Sequence, residues 1–215
     1  MPLVIAHHLV WSVYGAWLPN DARGSNSSEI RNPVLAELGE LHQGRKKVQP
    51  VGRVIREFYR EAAPKLQHPL LTLEAEQRDE VAAAFLNVIE DKKYTCYACA
   101  VMPDHVHILI RKHKFTDEQI AEHLMTASRY RLIERGFREK THPTWIAGFG
   151  WNVFQFDPQD MRRTIRYIED NPKKGRLLDQ NWPFVIPYDG WPLQKGHSPN
   201  SPYARALRET GRYLR

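Results

Sequence analysis

The spacing of hydrophobic and polar positions changes several times along the chain, and each change marks an element. Residues 3–14 (LVIAHHLVWSVY) are dense in β-branched and aromatic residues with no helical period, which predicts a strand. Over residues 72–90, Leu73, Val81, Phe85, Val88 and Ile89 recur at helical spacing, which predicts a long helix starting near Thr72. Two strands follow, over 94–102 and 105–112, separated by the turn residues Pro103 and Asp104. Residues 117–135 predict a second long helix, with Thr116 as its N-cap and Gly136 as its stop. Residues 151–156 read as another strand. Asp157 or Pro158 then opens a third helix, expected to end at Asn171 because a residue before proline avoids the helical region.

Two stretches stand outside this alternation. From Gly15 to Gly52 the chain is rich in Pro, Gly, Asn and Ser, with a short helix expected over 34–41. Residues 51–63 predict a helix ended by Pro64, and the Pro- and Trp-rich tail is expected to close with a helix over 202–213. The order strand, helix, strand, strand, helix, strand, helix is that of the split βαβ, ferredoxin-like α+β arrangement. It predicts an antiparallel sheet with helices on one face and the other face free for chemistry. One domain is expected over 1–178, with an insertion at about 15–71 and a C-terminal extension over 179–215.

Composition narrows the setting. With 215 residues and 42% apolar content the chain can bury a sizeable core. Two cysteines exclude a disulfide-built fold and fit a reducing, cytoplasmic compartment. No apolar run reaches the roughly 20 residues of a membrane span, and no basic leader with a cleavage site is visible, so no export is expected. Charge is uneven: residues 1–100 carry 12 basic against 12 acidic residues, and residues 101–215 carry 19 against 13. The whole +6 excess therefore lies in the second half. A basic half fits a polyanion such as nucleic acid, although a solvated basic surface without a partner is equally common.

Candidate chemistry sits on one strand and one helix. Along 105–110, alternation gives Val106, Ile108 and Ile110 one apolar face and sends His105 and His107 to the other. Two imidazoles so placed can share a metal ion, while a solvated strand face is the commoner setting for such a pair. The next same-face position is Leu109, so no histidine triad forms. Cys96 and Cys99 stand three apart, on opposite faces of a regular strand, and read as small core residues. On the third helix Met161, Ile165 and Ile168 form a stripe, with Tyr167 and Asn171 about 130° and 90° away from its centre. Arg162, Arg163, Arg166, Lys173, Lys174 and Arg176 surround them and suit phosphates or a solvated face. Together these parts describe a metal held by two histidines and a tyrosine that attacks a phosphodiester, with the Asn171 amide completing the metal shell.

Two segments carry a resemblance. Tyr97-Ala-Cys-Ala-Val-Met-Pro-Asp-His105-Val-His107 and Tyr167-Ile-Glu-Asp-Asn171-Pro-Lys-Lys-Gly175, with Trp151-Asn-Val-Phe before the helix, resemble the HUH single-strand DNA transposases. Within that superfamily they resemble the REP-associated tyrosine transposases most. Tyr14-Gly-Ala-Trp-Leu-Pro-Asn-Asp21 extends the likeness loosely to the N-terminus. The resemblance implies a ferredoxin-like enzyme that cleaves and joins single-stranded DNA next to hairpins. It implies Mg2+ or Mn2+ held by His105, His107 and Asn171, and a 5′-phosphotyrosine on Tyr167 with release of a 3′-hydroxyl. It further implies a monomer or homodimer, in some relatives with the tyrosine helix exchanged between subunits.

Other readings remain open. A DNA-hairpin-binding protein of the same fold without cleavage would show the same motifs, and a small-molecule metalloenzyme would use the histidine pair alone. Tyr130, among Arg129, Arg131 and Arg135, is a rival nucleophile or a DNA-facing residue. Trp145, Phe149, Trp151, Phe154 and Phe156 can stack on bases, though most are expected in the core. His7 and His8 face opposite ways on the first strand, where one of them can approach the metal, although a structural role is the commoner expectation. Arg205, Arg208, Arg212 and Arg215 can follow a hairpin backbone.

Overall fold

The computed structural model describes residues 4–25, 27–30, 32–44, 46–148 and 150–192. Strand β1 (Ala6–Ser12) is followed by short helix α1 (Pro33–Ala36), helix α2 (Gly52–Ala62) and long helix α3 (Ala75–Lys92). Strands β2 (Cys96–Val101) and β3 (His105–Arg111), helix α4 (Asp117–Glu134), strand β4 (Trp151–Gln155) and helix α5 (Pro158–Lys174) complete the order. The sheet order is β2-β3-β1-β4 and every pairing is antiparallel. This is the ferredoxin-like split βαβ topology expected from the sequence.

Local chemistry explains where the helices start. Thr116 accepts from the Gln119 backbone while the Gln119 side chain accepts from the Thr116 backbone, a reciprocal box that opens α4. Asp157 caps α5 by accepting from Gln159 and Asp160, with Pro158 at the first helical position. Helix α3 begins at Ala75, three residues later than expected, because Leu73 is instead held by Pro103 at 2.8 Å and buried as core.

Both faces of the sheet are covered, which corrects the expectation of a free face. On one side α3 and α4 pack on Leu9, Trp11, Val106, Ile108 and Ile110. On the other, Met161 and Ile168 of α5 pack on Ile5, Ala6, Ala98, Ala100 and Leu109. The apolar stripe of α5 required this partner: each fully buried aliphatic side chain contributes about 1.5–3 kcal/mol. Helix α5 also runs through Pro172 to Lys174 rather than stopping at Asn171. Pro172 is buried, and packing in the last turn offsets the one N–H that proline cannot supply.

A second correction concerns the cysteines. A register shift between Cys96 and Ala98 adds a bulge to β2, so Cys96 and Cys99 join the same core cluster rather than opposite faces. Both are buried and free. The insertion has a small core of its own, Leu18, Leu35 and Ala62 with Phe58 and Tyr59 beside it. Asp21 at its centre is fully buried and accepts from Arg23 and from the Tyr59 hydroxyl, each at 2.6 Å. Burial would raise the Asp21 carboxyl pKa, but these hydrogen bonds outweigh it and hold it below its ordinary value. Beyond α5 the chain returns along the outer edge of β2. The Gln180 side chain pairs with both backbone groups of Val101, at 2.8 and 2.9 Å, and Ile186 donates to Cys96 at 2.9 Å.

Candidate active site

The site lies on the α5 side of the sheet and starts from the tight turn between β2 and β3. Met102 donates to His105 and closes the turn, while Val13 donates to Asp104 and Leu73 to Pro103, so two neighbouring segments clamp it. Strand alternation then sends His105 and His107 toward α5 while Val106, Ile108 and Ile110 enter the α3–α4 core. In register, His107 lies opposite Val10 and His8 opposite Leu109, which makes His8 and His107 diagonal neighbours across the β1–β3 pair. Gly150 shapes the far side, just before β4. At a φ of +82° a Cβ there would sit 2.1 Å from the Val10 carbonyl oxygen, so only glycine lets the chain pass this close to β1.

Four groups form a chain of contacts. Asp104 Oδ1 lies 2.6 Å from His105 Nδ1, His105 Nε2 lies 3.1 Å from His107 Nε2, and His107 Nδ1 lies 3.0 Å from His8 Nε2. His8 and His107 are each only 6% exposed, so the pair is not on a solvated strand face. Burial lowers the His8 pKa to about 4. Burial, reinforced by charge on His105 and His8, lowers that of His107 to about 2. Both rings are therefore neutral near pH 7, the form in which an imidazole binds a cation. Burial alone would raise the Asp104 pKa, but its hydrogen bond to His105 and the charge there lower it overall.

The two Nε2 atoms fit a divalent ion. An octahedral cation with ligands at about 2.1 Å sets adjacent donors about 3.0 Å apart, close to the 3.1 Å observed. Among the described residues no group of three or more His, Cys, Asp or Glu side chains gathers at metal-binding distance.

Helix α5 brings Tyr167 to His107 and His8. Its ring centroid is 5.4 Å from that of His107 and 6.0 Å from that of His8, edge-on to both, and the residue is 46% exposed. All three rings belong to one chain, so helix exchange is not needed to assemble them. The Lys174 ammonium stands 5.3 Å from the Tyr167 ring centre. Asn171 Nδ2 donates to the Tyr167 carbonyl at 2.7 Å.

Arg162, Arg163, Arg166, Lys173, Lys174 and Arg176 are all exposed. Arg163 pairs with Asp160, and Lys174 lies 3.7 Å from Asp170. Arg162, Arg166 and Lys173 fall within about 40° of one another around the helix axis. A cleft of about 640 Å³ beside β2 is separate from the imidazoles and holds Glu169 and Asp179, which disfavour phosphate.

Other candidates sort by position. Tyr130 is exposed on α4, which packs against the sheet face opposite the imidazoles. Trp145 is core, its indole N–H bonded to Met125 and Ser128. Trp151 and Phe154 are exposed on β4. Phe149, the four tail arginines and the helix expected over 202–213 lie outside the described residues. Sequence reasoning missed what His8 does and the contact of Asp104 with His105. Asp104 was legible as the neighbour of His105, whereas the place of His8 depends on strand register.

Residues 62–171, just over half of the chain, match the family described as transposase IS200 like. The structure is similar to that of a REP-associated tyrosine transposase bound to a REP hairpin, at 12% identity and a TM-score of 0.44, over 83% of this chain and 73% of that one. It is also similar to a Deinococcus radiodurans R1 protein assigned as a transposase, at 14% identity and a TM-score of 0.37, over 79% of this chain and 92% of that one. No curated protein matches the chain.

Proposed function

Since the chain belongs to the IS200-like transposase family, we propose that it cleaves and rejoins single-stranded DNA next to hairpins, with Tyr167 as nucleophile. The observation that carries this reading is the packing of the Tyr167 ring against His107 and His8 within one chain. In the proposed step the Tyr167 oxygen attacks phosphorus, a Tyr–O–P bond forms and the P–O3′ bond breaks. The 3′ oxygen takes up a proton and leaves as a hydroxyl, and the 5′-phosphate stays on the enzyme. Attack of another 3′-hydroxyl on that phosphotyrosine reverses the step and rejoins the strand.

The chain's own groups prepare this reaction. His105 and His107 hold Mg2+ or Mn2+, and Asn171, once its amide leaves the Tyr167 carbonyl, is the proposed third ligand. When bound, the ion supplies Lewis acidity at a phosphodiester oxygen. Nitrogen donors favour Mn2+ over Mg2+. Arg162, Arg166 and Lys173, with Arg163, Lys174 and Arg176 near them, hold the DNA backbone. The hairpin preference rests on the resemblance carried by two motif segments, Tyr97 to His107 and Tyr167 to Gly175. Two buried free thiols fit a cytoplasmic site of action, and no helix among the described residues is long and apolar enough to cross a membrane.

The test incubates the protein with labelled hairpin DNA bearing a single-stranded flank and Mn2+, followed by denaturing electrophoresis. A covalent adduct is expected with the wild type. Tyr167→Phe should lose it by about 1,000-fold or more while hairpin affinity stays within a few fold. Binding with no adduct in the wild type would leave a hairpin-binding protein without cleavage, and an adduct surviving in Tyr167→Phe would transfer the nucleophile's role elsewhere.

A further inference from the structure

We infer that His8 is a positioning residue: it sets which nitrogen of His107 carries the proton, and so whether the His105–His107 pair can receive a cation. This rests on the two-imidazole metal site proposed above. The two nitrogens of one imidazole point out of opposite sides of the ring. His8 Nε2 meets His107 at Nδ1, while His105 meets it at Nε2. One ion between the two Nε2 atoms is therefore out of reach of His8, which is not a third ligand.

A neutral imidazole has one N–H and one lone pair. His105 donates from Nδ1 to the Asp104 carboxylate, which leaves the His105 lone pair on Nε2. If His107 donates from Nδ1 to His8, its lone pair also lies on Nε2, and two lone pairs meet at 3.1 Å. That arrangement repels itself unless a cation stands between them. If His8 donates instead, the His107 proton sits on Nε2, bonds to His105, and blocks the ion.

His8 is thus the partner whose direction of donation matches the state of the pair, accepting when the ion is bound and donating when it is not. Imidazole can do both, whereas a carboxylate could only accept. Metal-bound histidines generally give their second N–H to an outer partner. Here Asp104 serves His105, and His8, buried on a different strand, serves His107.

The test uses the full chain without DNA. Long-range 1H–15N spectra in saturating Mg2+ should show the His107 proton on Nδ1. Mn2+ affinity, read by electron paramagnetic resonance, should weaken about 10- to 100-fold in His8→Leu and return to within about threefold in His8→Gln, whose amide both donates and accepts. A His8→Leu protein that binds Mn2+ as tightly as the wild type overturns the inference and leaves the proposed function standing, whereas a His107 proton on Nε2 in saturating Mg2+ removes the metal site and this inference with it. If His107→Ala binds Mn2+ no worse than the wild type, the metal site itself fails, and this inference falls with it. Should His8→Leu not fold, the wild-type spectrum in Mg2+ still decides by whether the His107 Nδ1–H couples across its hydrogen bond to His8 Nε2, and absence of that coupling overturns the inference.

Discussion

His8 and His107 are buried where water cannot solvate an imidazolium, and this has a consequence for stability. In the unfolded chain both rings protonate near pH 6.5; in the folded chain they resist until about pH 4 and about pH 2. The unfolded state therefore binds more protons below pH 6.5, and stability is full above that pH and falls as pH drops. In metal-free buffer, denaturant melts at pH 6.5 and 4.5 should differ by on the order of 3 kcal/mol from these rings. His8→Leu should flatten that slope, because one of the two groups is gone. An unchanged slope would mean that His8 is solvated in the folded protein. At this scale alternation and helical spacing, which are local, set His105 and His107 on one strand face and Tyr167 off the α5 stripe, while their candidate roles came from the resemblance of two motifs. The sequence could not assign a role to His8, since 99 residues separate it from the ring it touches.

Among the elements, α5 shows how packing extends what propensity would end. The residue before proline avoids helix in isolation, yet burial of Pro172 and Ile168 against the sheet carries the helix to Lys174. The continuation keeps Lys174 near Tyr167. Strand β2 shows the converse, a regular alternation broken by a bulge that swings both cysteines into one core. Its outer edge would present free backbone groups, and Gln180 covers two of them. Gln180→Ala should cost about 1–3 kcal/mol, as an unsatisfied buried donor and acceptor are left behind. Equilibrium unfolding checks this, and an unaltered midpoint would show that water replaces the amide without loss.

For the molecule as a whole, α5 carries five basic against three acidic residues, and Arg176 follows it. Arg166 and Lys173 share one side of the helix, are exposed, and have no ion pair among the described residues. If they lie along the DNA backbone, replacing both with glutamine should weaken hairpin binding and lower the slope of log affinity against log salt by about 1.4 to 2. Fluorescence anisotropy across a salt series reads both, and an unchanged slope would place the DNA elsewhere. The insertion is tied by a different device, the buried carboxylate of Asp21 between Arg23 and Tyr59. No sequence pattern announced that network, because its partners stand up to 38 residues apart in a stretch with little periodicity.

Taken by itself, the sequence determined the element order, the apolar faces of β3 and α5, and the sharing of one strand face by His105 and His107. Those features follow from periods of two and of 3.6 residues, which hold over short spans of chain. Only the tertiary structure decided that α5 covers the second sheet face, that Tyr130 stands across the sheet from the imidazoles, and that His8 completes their contacts. Such facts depend on which strands pair and in what register, and register is set by burial of whole faces at once rather than by any single segment.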